Sequence, residues 1–170
     1  MENDNPVAIH YLAHYYEQGE HGLVKSHKKA ARLYQRAVEL GDVESMDSLG
    51  HLYVNGQGVK LDKKKAFKYT RLAAERGHAQ AQHNLGICFY KGDGVVQDYD
   101  EAFRFSKLAA DQGYTEAEHS LGCMYAAGRG VEEDVAEATR WLERAAAKGH
   151  EKAKQVLSRL TRLLAGLCSP

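Results

Sequence analysis

Residues 85–113 read LGICFYKGDGVVQDYDEAFRFSKLAADQG, and this stretch recurs along the chain. Its Leu-Gly pair returns 36 residues earlier and 36 residues later, together with the Gly-x-Gly-Val loop, the Asp, the Ala-Ala pair and the final Gly. A more divergent copy comes first in the chain, with one additional residue between Gly19 and Gly22. Four copies in regular register predict a protein built by stacking one kind of unit.

The apolar spacing within each copy is helical. Ala81, Leu85 and Phe89 lie four residues apart, on one face of a helix that we name helix A. A second helix, helix B, follows the glycine loop. Because so short a helix pair cannot bury its own apolar face, the pattern predicts an all-α fold, a right-handed α-solenoid of stacked antiparallel helix pairs. We expect one domain over residues 1–170, with repeats at about 5–42, 43–78, 79–114 and 115–150 and a C-terminal capping helix over 151–167.

Four repeated residues have predictable roles. Asp98 is the expected N-cap of its helix B, and Glu101 completes the pattern of a capping box. Gly113 follows the last turn of helix B, where a left-handed residue is favoured. Gly86 lies inside helix A and costs about 1 kcal/mol relative to Ala, so we expect it to admit a neighbouring helix. The Gly-x-Gly loops lack the further residues of nucleotide-binding loops and predict turns only.

The repeated pattern, A-x-x-x-L-G-x-x-Y/F-x-x-G-x-G-V-x-x-D-x-x-x-A and then A-A-x-x-G, resembles the Sel-one-like repeat, a longer relative of the tetratricopeptide repeat. The resemblance covers residues 6 to 150, and the first copy departs from it at Ala13, where Gly is usual. It implies an adaptor or scaffold that holds other proteins together. A secreted branch of this family has a disulfide in each repeat. Here Cys88, Cys123 and Cys168 are too few and too irregular for that pattern.

The resemblance also implies a partner-binding groove, because helix A lines the concave face of tetratricopeptide-like solenoids. Its positions lie two and five residues to either side of the repeated Leu. They give the candidate groove residues His10, His14, Glu17, Glu44, Asp47, His51, Gln80, His83, Ile87, Tyr90, Glu116, His119 and Cys123. Five of the nine histidines fall in this set. We expect a protein or peptide ligand there, and up to five added positive charges near pH 5, since an unperturbed histidine titrates near 6.5.

The sequence is also compatible with two other functions. A metal- or pH-responsive binding module is one, because His10 and His14 are one helical turn apart and Asp47 and His51 follow on the next helix A. No third ligand can be placed with them, so neither a metal nor a cofactor is predicted. An enzyme is the least favoured reading, since no nucleophile and base are paired in the sequence.

Charge and composition limit the classes of partner that the sequence predicts. The chain has 23 Lys and Arg against 23 Asp and Glu, so its formal net charge is zero, whereas nucleic-acid and membrane binding favour a basic excess. The scattered cysteines and the lack of a leader or long apolar stretch predict a cytoplasmic protein. Leu residues 157, 160, 163, 164 and 167 form an apolar stripe. This stripe predicts either a cap on a monomer or a weak dimer through the C-terminal helix.

Overall fold

The computed structural model describes residues 5–167, with side chains described for residues 5–162. Within that range there are nine α-helices and no strands, and no helix is long and apolar enough to cross a membrane. The helices are α1 (Pro6–Gln18), α2 (His27–Glu39), α3 (Val43–Asn55), α4 (Lys63–Glu75), α5 (Ala79–Lys91), α6 (Tyr99–Asp111), α7 (Thr115–Ala127), α8 (Val135–Ala147) and α9 (Glu151–Leu167). The extensive contacts all join consecutive helices. The predicted all-α solenoid is confirmed: α1, α3, α5 and α7 are A helices, and α2, α4, α6 and α8 are B helices.

The two helices of a repeat meet at the glycine of the Leu-Gly pair. A Cβ atom placed on Gly86 would lie 3.1 Å from the carbonyl oxygen of Ala102 and 2.9 Å from Oγ of Ser106, both on α6. One placed on Gly122 would lie 2.7 Å from Cγ of Leu142 on α8. The predicted close approach is therefore confirmed, and it brings apolar side chains of both helices into shared buried clusters.

A backbone hydrogen bond fixes where each helix B begins. Asp98 caps α6 as predicted, with its carboxylate accepting from the amides of Asp100 and Glu101. The predicted capping box is wrong, because Glu101 pairs with Arg104 instead. The amide of Asp98 donates to the carbonyl of Phe89 on α5, at 2.9 Å. Equivalent bonds join Ser26 to Tyr16, Asp62 to Tyr53 and Asp134 to Tyr125.

The glycine after helix B closes each repeat. Gly113 has φ +83°, the left-handed conformation that was predicted. Its amide donates to the carbonyl of Ala110, and the amide of Tyr114 donates to that of Ala109, which together make a Schellman motif. The repeated Ala-Ala pair therefore supplies the carbonyls that end helix B as well as small side chains for packing.

The second glycine of each Gly-x-Gly loop makes a contact between repeats. A Cβ atom on Gly130 would collide with the carbonyl group of Tyr99, the first residue of α6 in the preceding repeat. Gly58 and Gly94 face the backbones of His27 and Lys63 in the same way. These glycines are thus required by the stacking of repeats as well as by the turn.

Helix α9 covers the last B helix. Its side chains Val156, Leu157 and Leu160 pack against the buried cluster that contains Leu142 and Ala145 of α8. The first part of the Leu stripe therefore caps the fourth repeat. The side chains of Leu163, Leu164 and Leu167, and the whole of Cys168, lie outside the described residues, and dimerisation through this helix stays a prediction.

Replacing Gly130 by Ala should lower the free energy of unfolding by about 2–4 kcal/mol, measured by urea denaturation. The new methyl group forces a side chain into a left-handed backbone, φ +69°, and also collides with the backbone at Tyr99. Gly149→Ala is the matched control, since its φ is +90° but no atom lies within 4 Å of the added carbon. It should lose only the strain, about 1 kcal/mol. Equal losses would show that the contact between repeats does not constrain Gly130.

Candidate functional site

Three depressions lie along the surface formed by the A helices, which we call the A-helix face. Depression 1 lies between α1 and α3 and measures about 430 Å³. Depression 2, between α3 and α5, measures about 250 Å³, and depression 3, between α5 and α7, about 190 Å³. Ile87 and Lys91 line both depressions 2 and 3, so these two depressions adjoin each other, and we call the pair the trough.

Most of the predicted groove residues line these depressions. They are His10, His14 and Glu44 in depression 1, Asp47, His51 and Ile87 in depression 2, and Ile87, Tyr90, His119 and Cys123 in depression 3. The remaining four are Glu17, Gln80, His83 and Glu116. Gln80 and Glu116 are exposed outside the depressions, whereas Glu17 and His83 make internal contacts.

Asp47 places a buried carboxylate in the trough. Its side chain is only 7% exposed and lines depression 2. Its Oδ1 accepts a hydrogen bond from Nδ2 of Asn84 at 3.3 Å, and burial raises the pKa of the carboxyl group. Lys63 lines the same depression but is paired with Asp93 at 2.9 Å. Among the described residues, then, no Lys or Arg pairs with the Asp47 carboxylate, and the nearby His51 and His78 only partly offset the effect of burial on its pKa.

Three of the five predicted groove histidines, His10, His83 and His119, contact the next repeat. In each repeat, the residue two before the repeated Leu faces the residue that precedes the next A helix. The pairs are His10 with Asp42, Asp47 with His78, His83 with Tyr114, and His119 with His150. His78 and His150 also cap their helices, each accepting an amide hydrogen at Nδ1. His10, His83 and His119 thus have a structural role in the stacking of repeats.

His83 is the most deeply buried of these histidines. It is 7% exposed, and its Nδ1 is buried without a hydrogen-bond partner in the described part of the chain. Burial lowers its pKa to about 4. Burial and the nearby His150 lower the pKa of His119 as well. The expectation that all five groove histidines gain charge near pH 5 is therefore wrong for His83.

Glu17 was expected in the groove, but its carboxylate is turned inward. Its Oε2 accepts a hydrogen bond of 2.8 Å from the hydroxyl of Tyr34 on α2. Tyr34 is fully buried, and burial together with Glu17 raises the pKa of its hydroxyl group. Glu17 therefore stabilises the first repeat through this hydrogen bond, and its role in binding a partner stays a prediction.

The side chains suited to metal binding stay apart. Within residues 5–162, no three His, Cys, Asp or Glu side chains converge on a common point. His10 directs Nδ1 toward Oγ of Ser45, at 3.0 Å, and toward Asp42 rather than toward His14. Cys88 and Cys123 are free thiols, and burial raises the pKa of each, which disfavours the nucleophilic thiolate.

Glu118 is a buried charge that the sequence analysis did not single out. Its side chain is fully buried and accepts from Arg144 and Lys148, each at 2.9 Å. Lys148 also donates to the carbonyl of Gly113, in the preceding repeat, at 2.8 Å. Glu118 and Lys148 thus hold two successive repeats together.

We call this contact the repeat clamp, and its chemistry changes along the chain. In the third repeat Nε2 of Gln112 donates to Oε1 of Gln82 at 2.7 Å and to the carbonyl of Gly77 at 3.1 Å. In the second repeat Arg76 contacts the sulfur of Met46. The two clamp side chains are 30 residues apart in each case. That matched spacing is the signal by which the sequence could have revealed them.

Comparison with known proteins identifies the repeat. The model of the Sel1 repeat matches residues 6–42, 43–78, 79–114 and 115–150. The chain belongs to the Sel1 repeat family. Proteins of this family are generally protein–protein interaction scaffolds, and their fold is typically non-catalytic. A search of curated proteins finds no match.

Solved structures of Sel1 repeat proteins are similar over most of this chain. A Sel1 repeat protein from Oxalobacter formigenes is 31% identical with a TM-score of 0.87, over 92% of this chain and 62% of that one. A protective antigen of uropathogenic Escherichia coli is 34% identical with a TM-score of 0.87, over 91% of this chain and 33% of that one. Cysteine-rich protein B from Helicobacter pylori is 28% identical with a TM-score of 0.62, over 78% and 96%. The chain therefore spans less than two thirds of the first two proteins.

Replacing His83 by Gln should flatten the dependence of stability on pH. The folded-state pKa of His83, about 4, lies below the unfolded value near 6.5, so the folded protein favours the neutral ring. Its contribution to stability is complete above pH 6.5 and is lost as the pH falls toward 4, reaching a loss of about 2 kcal/mol at pH 5. Chemical denaturation at pH 7 and pH 5 measures this difference.

His51→Gln is the control for that measurement, because His51 is an exposed histidine of the same face. It should leave the difference between pH 7 and pH 5 as it is in the wild type. A His83→Gln variant that keeps the full wild-type difference would contradict the assignment of this loss to His83.

Proposed function

We propose that this Sel1 repeat chain is a scaffold that holds an extended segment of a partner protein in the trough of the A-helix face. The segment places a Lys or Arg side chain at Asp47. The observation that carries the proposal is the Asp47 carboxylate, which is nine-tenths buried, lines depression 2 and has no Lys or Arg partner among the described residues. Burial disfavours a lone carboxylate, and a bound cation relieves that cost.

The arrangement of the depressions suits an extended chain. The two depressions of the trough lie on either side of α5, about one helix diameter or ~10–12 Å apart, and an extended peptide advances about 3.3 Å per residue. Neighbouring depressions therefore match side chains about three residues apart. Depression 3 is lined by Ile87, Cys123 and Met124, which suit an apolar side chain. The preferred segment has a basic residue at depression 2 and an apolar residue about three positions away.

Positive charges near depression 3 determine the orientation in which the segment binds along the trough. Lys91 lines the junction of depressions 2 and 3. Tyr90 lines depression 3, and the guanidinium of Arg129 lies 5.4 Å from its ring. A positive side chain is therefore favoured at Asp47 and disfavoured beyond Lys91, so the two ends of the trough select opposite charges.

The cellular setting is part of this proposal. Cys88 and Cys123 are separate free thiols on the A-helix face, which supports work in a reducing compartment such as the cytoplasm. None of the contacts described above is a disulfide bond, so none of them requires an oxidising compartment.

Peptides selected from a displayed random library against the intact chain test the proposal. The selected peptides should carry Lys or Arg. Their affinity should fall between about tenfold and a hundredfold in Asp47→Asn, because a buried charge-assisted hydrogen bond contributes about 1.5–3 kcal/mol. Asn keeps the acceptor that Asn84 uses, so the folded structure should melt no earlier than the wild type.

Glu143→Gln is the matched control, since it removes one negative charge from an exposed position on α8. It should leave peptide affinity within about twofold, an energy change smaller than that of an average surface ion pair. Selected peptides without basic residues, or equal losses in Asp47→Asn and Glu143→Gln, would refute the Asp47 site.

A further inference from the structure

Four basic side chains form an array on the outer surface of the first two B helices. Lys28 and Arg32 are one turn apart on α2, and Lys64 and Lys68 occupy the equivalent positions on α4. All four are exposed, and none has an acidic partner among the described residues. We call these four residues the basic patch.

In the last two B helices, the residues equivalent to Arg32 and Lys68 are neutralised by glutamates. Arg104 of α6 pairs with Glu101 at 2.7 Å, and Arg140 of α8 pairs with Glu137 at 2.7 Å. These arginines are the counterparts of Arg32 and Lys68. Where the glutamates stand, α2 and α4 have Lys29 and Lys65, which lie over the rings of Tyr16 and Tyr53. The residue at this repeat position is thus basic in the first two repeats and acidic in the last two.

The basic residues disfavour the first turns of α2 and α4. Residues His27, Lys28 and Lys29 make up the first turn of α2, and residues 63–65, all Lys, make up that of α4. Neither turn contains an acidic residue. The amide end of a helix is partially positive, so cations there repel it and one another. Residues that oppose local stability in this way commonly serve binding.

The α2 half of the patch borders a cleft. Oη of Tyr69 on α4 donates to Oε1 of Gln35 on α2 at 3.0 Å, which holds the helices side by side. Beside α2 lies a depression of about 310 Å³, enclosed by α2, α3 and the loop that follows α3, with Lys28 and Arg32 on its border. The described residues that line it include no Asp or Glu. An anionic side chain entering this cleft would meet two cations and no carboxylate.

We propose that the basic patch binds an acidic segment of a partner protein. This site lies on B helices, so it is separate from the trough and does not rest on the function proposed for the trough. Two neighbouring helices span about 20 Å, which is the length of about six extended residues. A nucleic-acid duplex carries a charge about every 1.7 Å and would run past the patch. There it would meet exposed acidic residues of the third and fourth repeats, such as Asp100, Glu132 and Glu133.

Fluorescence anisotropy with a labelled peptide of alternating Glu and Ser, roughly eight residues long, tests the site. The wild type should bind it, and added salt should weaken the binding. The variant Lys29→Glu with Lys65→Glu installs the acidic partners that α6 and α8 already have. It should bind the peptide at least about tenfold more weakly, because the acids neutralise both Arg32 and Lys68. Its melting temperature should not fall.

Lys152→Glu with Lys154→Glu makes the same change in net charge on α9, away from the patch, and should keep wild-type affinity within about twofold. The reverse exchange, Glu101→Lys with Glu137→Lys, should extend the patch and tighten binding.

Three results would overturn the proposal. The first is no binding by the wild type at low salt. The second is an equal loss in the Lys29/Lys65 and Lys152/Lys154 variants, which would indicate net charge alone. The third comes from two further probes, a single-stranded oligonucleotide and phosphatidylserine vesicles. Tighter binding of either probe than of the peptide, lost in the Lys29/Lys65 variant, would show that an acidic protein segment is not the occupant.

Discussion

The close contact between the two helices of each repeat determines the rest of the structure. It depends on Gly50, Gly86 and Gly122, because any side chain at those positions would press into helix B. Thr70 and Ser106 face two of these glycines, and they also line depressions 2 and 3. The packing contact therefore also forms the wall of the proposed binding trough. In the first repeat Ala13 takes the place of the glycine.

The regular features of the fold follow from the sequence because each depends on neighbours within one repeat. Asp98 as N-cap, Gly113 in the left-handed conformation and Gly86 at the helix contact were all predicted correctly. The error at Glu101 has a definite cause: a capping box needs a free N-cap amide, and Phe89 already accepts that hydrogen. Nothing in the spacing of Asp98 and Glu101 reveals a competitor nine residues upstream.

The candidate site was less predictable because it depends on contacts between repeats. The sequence places His10, His83 and His119 on one face but does not show that each meets the residue before the next A helix. That contact separates buried His83 from exposed His51, although both are histidines of the predicted groove. Asp47 stood in the same predicted set as twelve other residues. Only its burial, and the pairing of Lys63 with Asp93, distinguish it as a buried carboxyl group without a Lys or Arg partner among the described residues.

The repeat clamp has a consequence for folding. Repeats of nearly equal length and similar sequence can align out of step while the chain folds, with one B helix packed on the wrong A helix. If α6 took the place of α8, Glu118 would meet Gln112 instead of Lys148, and a buried carboxylate would lose a cation. Arg76, Gln112 and Lys148 are each matched to a different partner. The clamps therefore distinguish the second, third and fourth repeats from one another, so that only the native order satisfies all three.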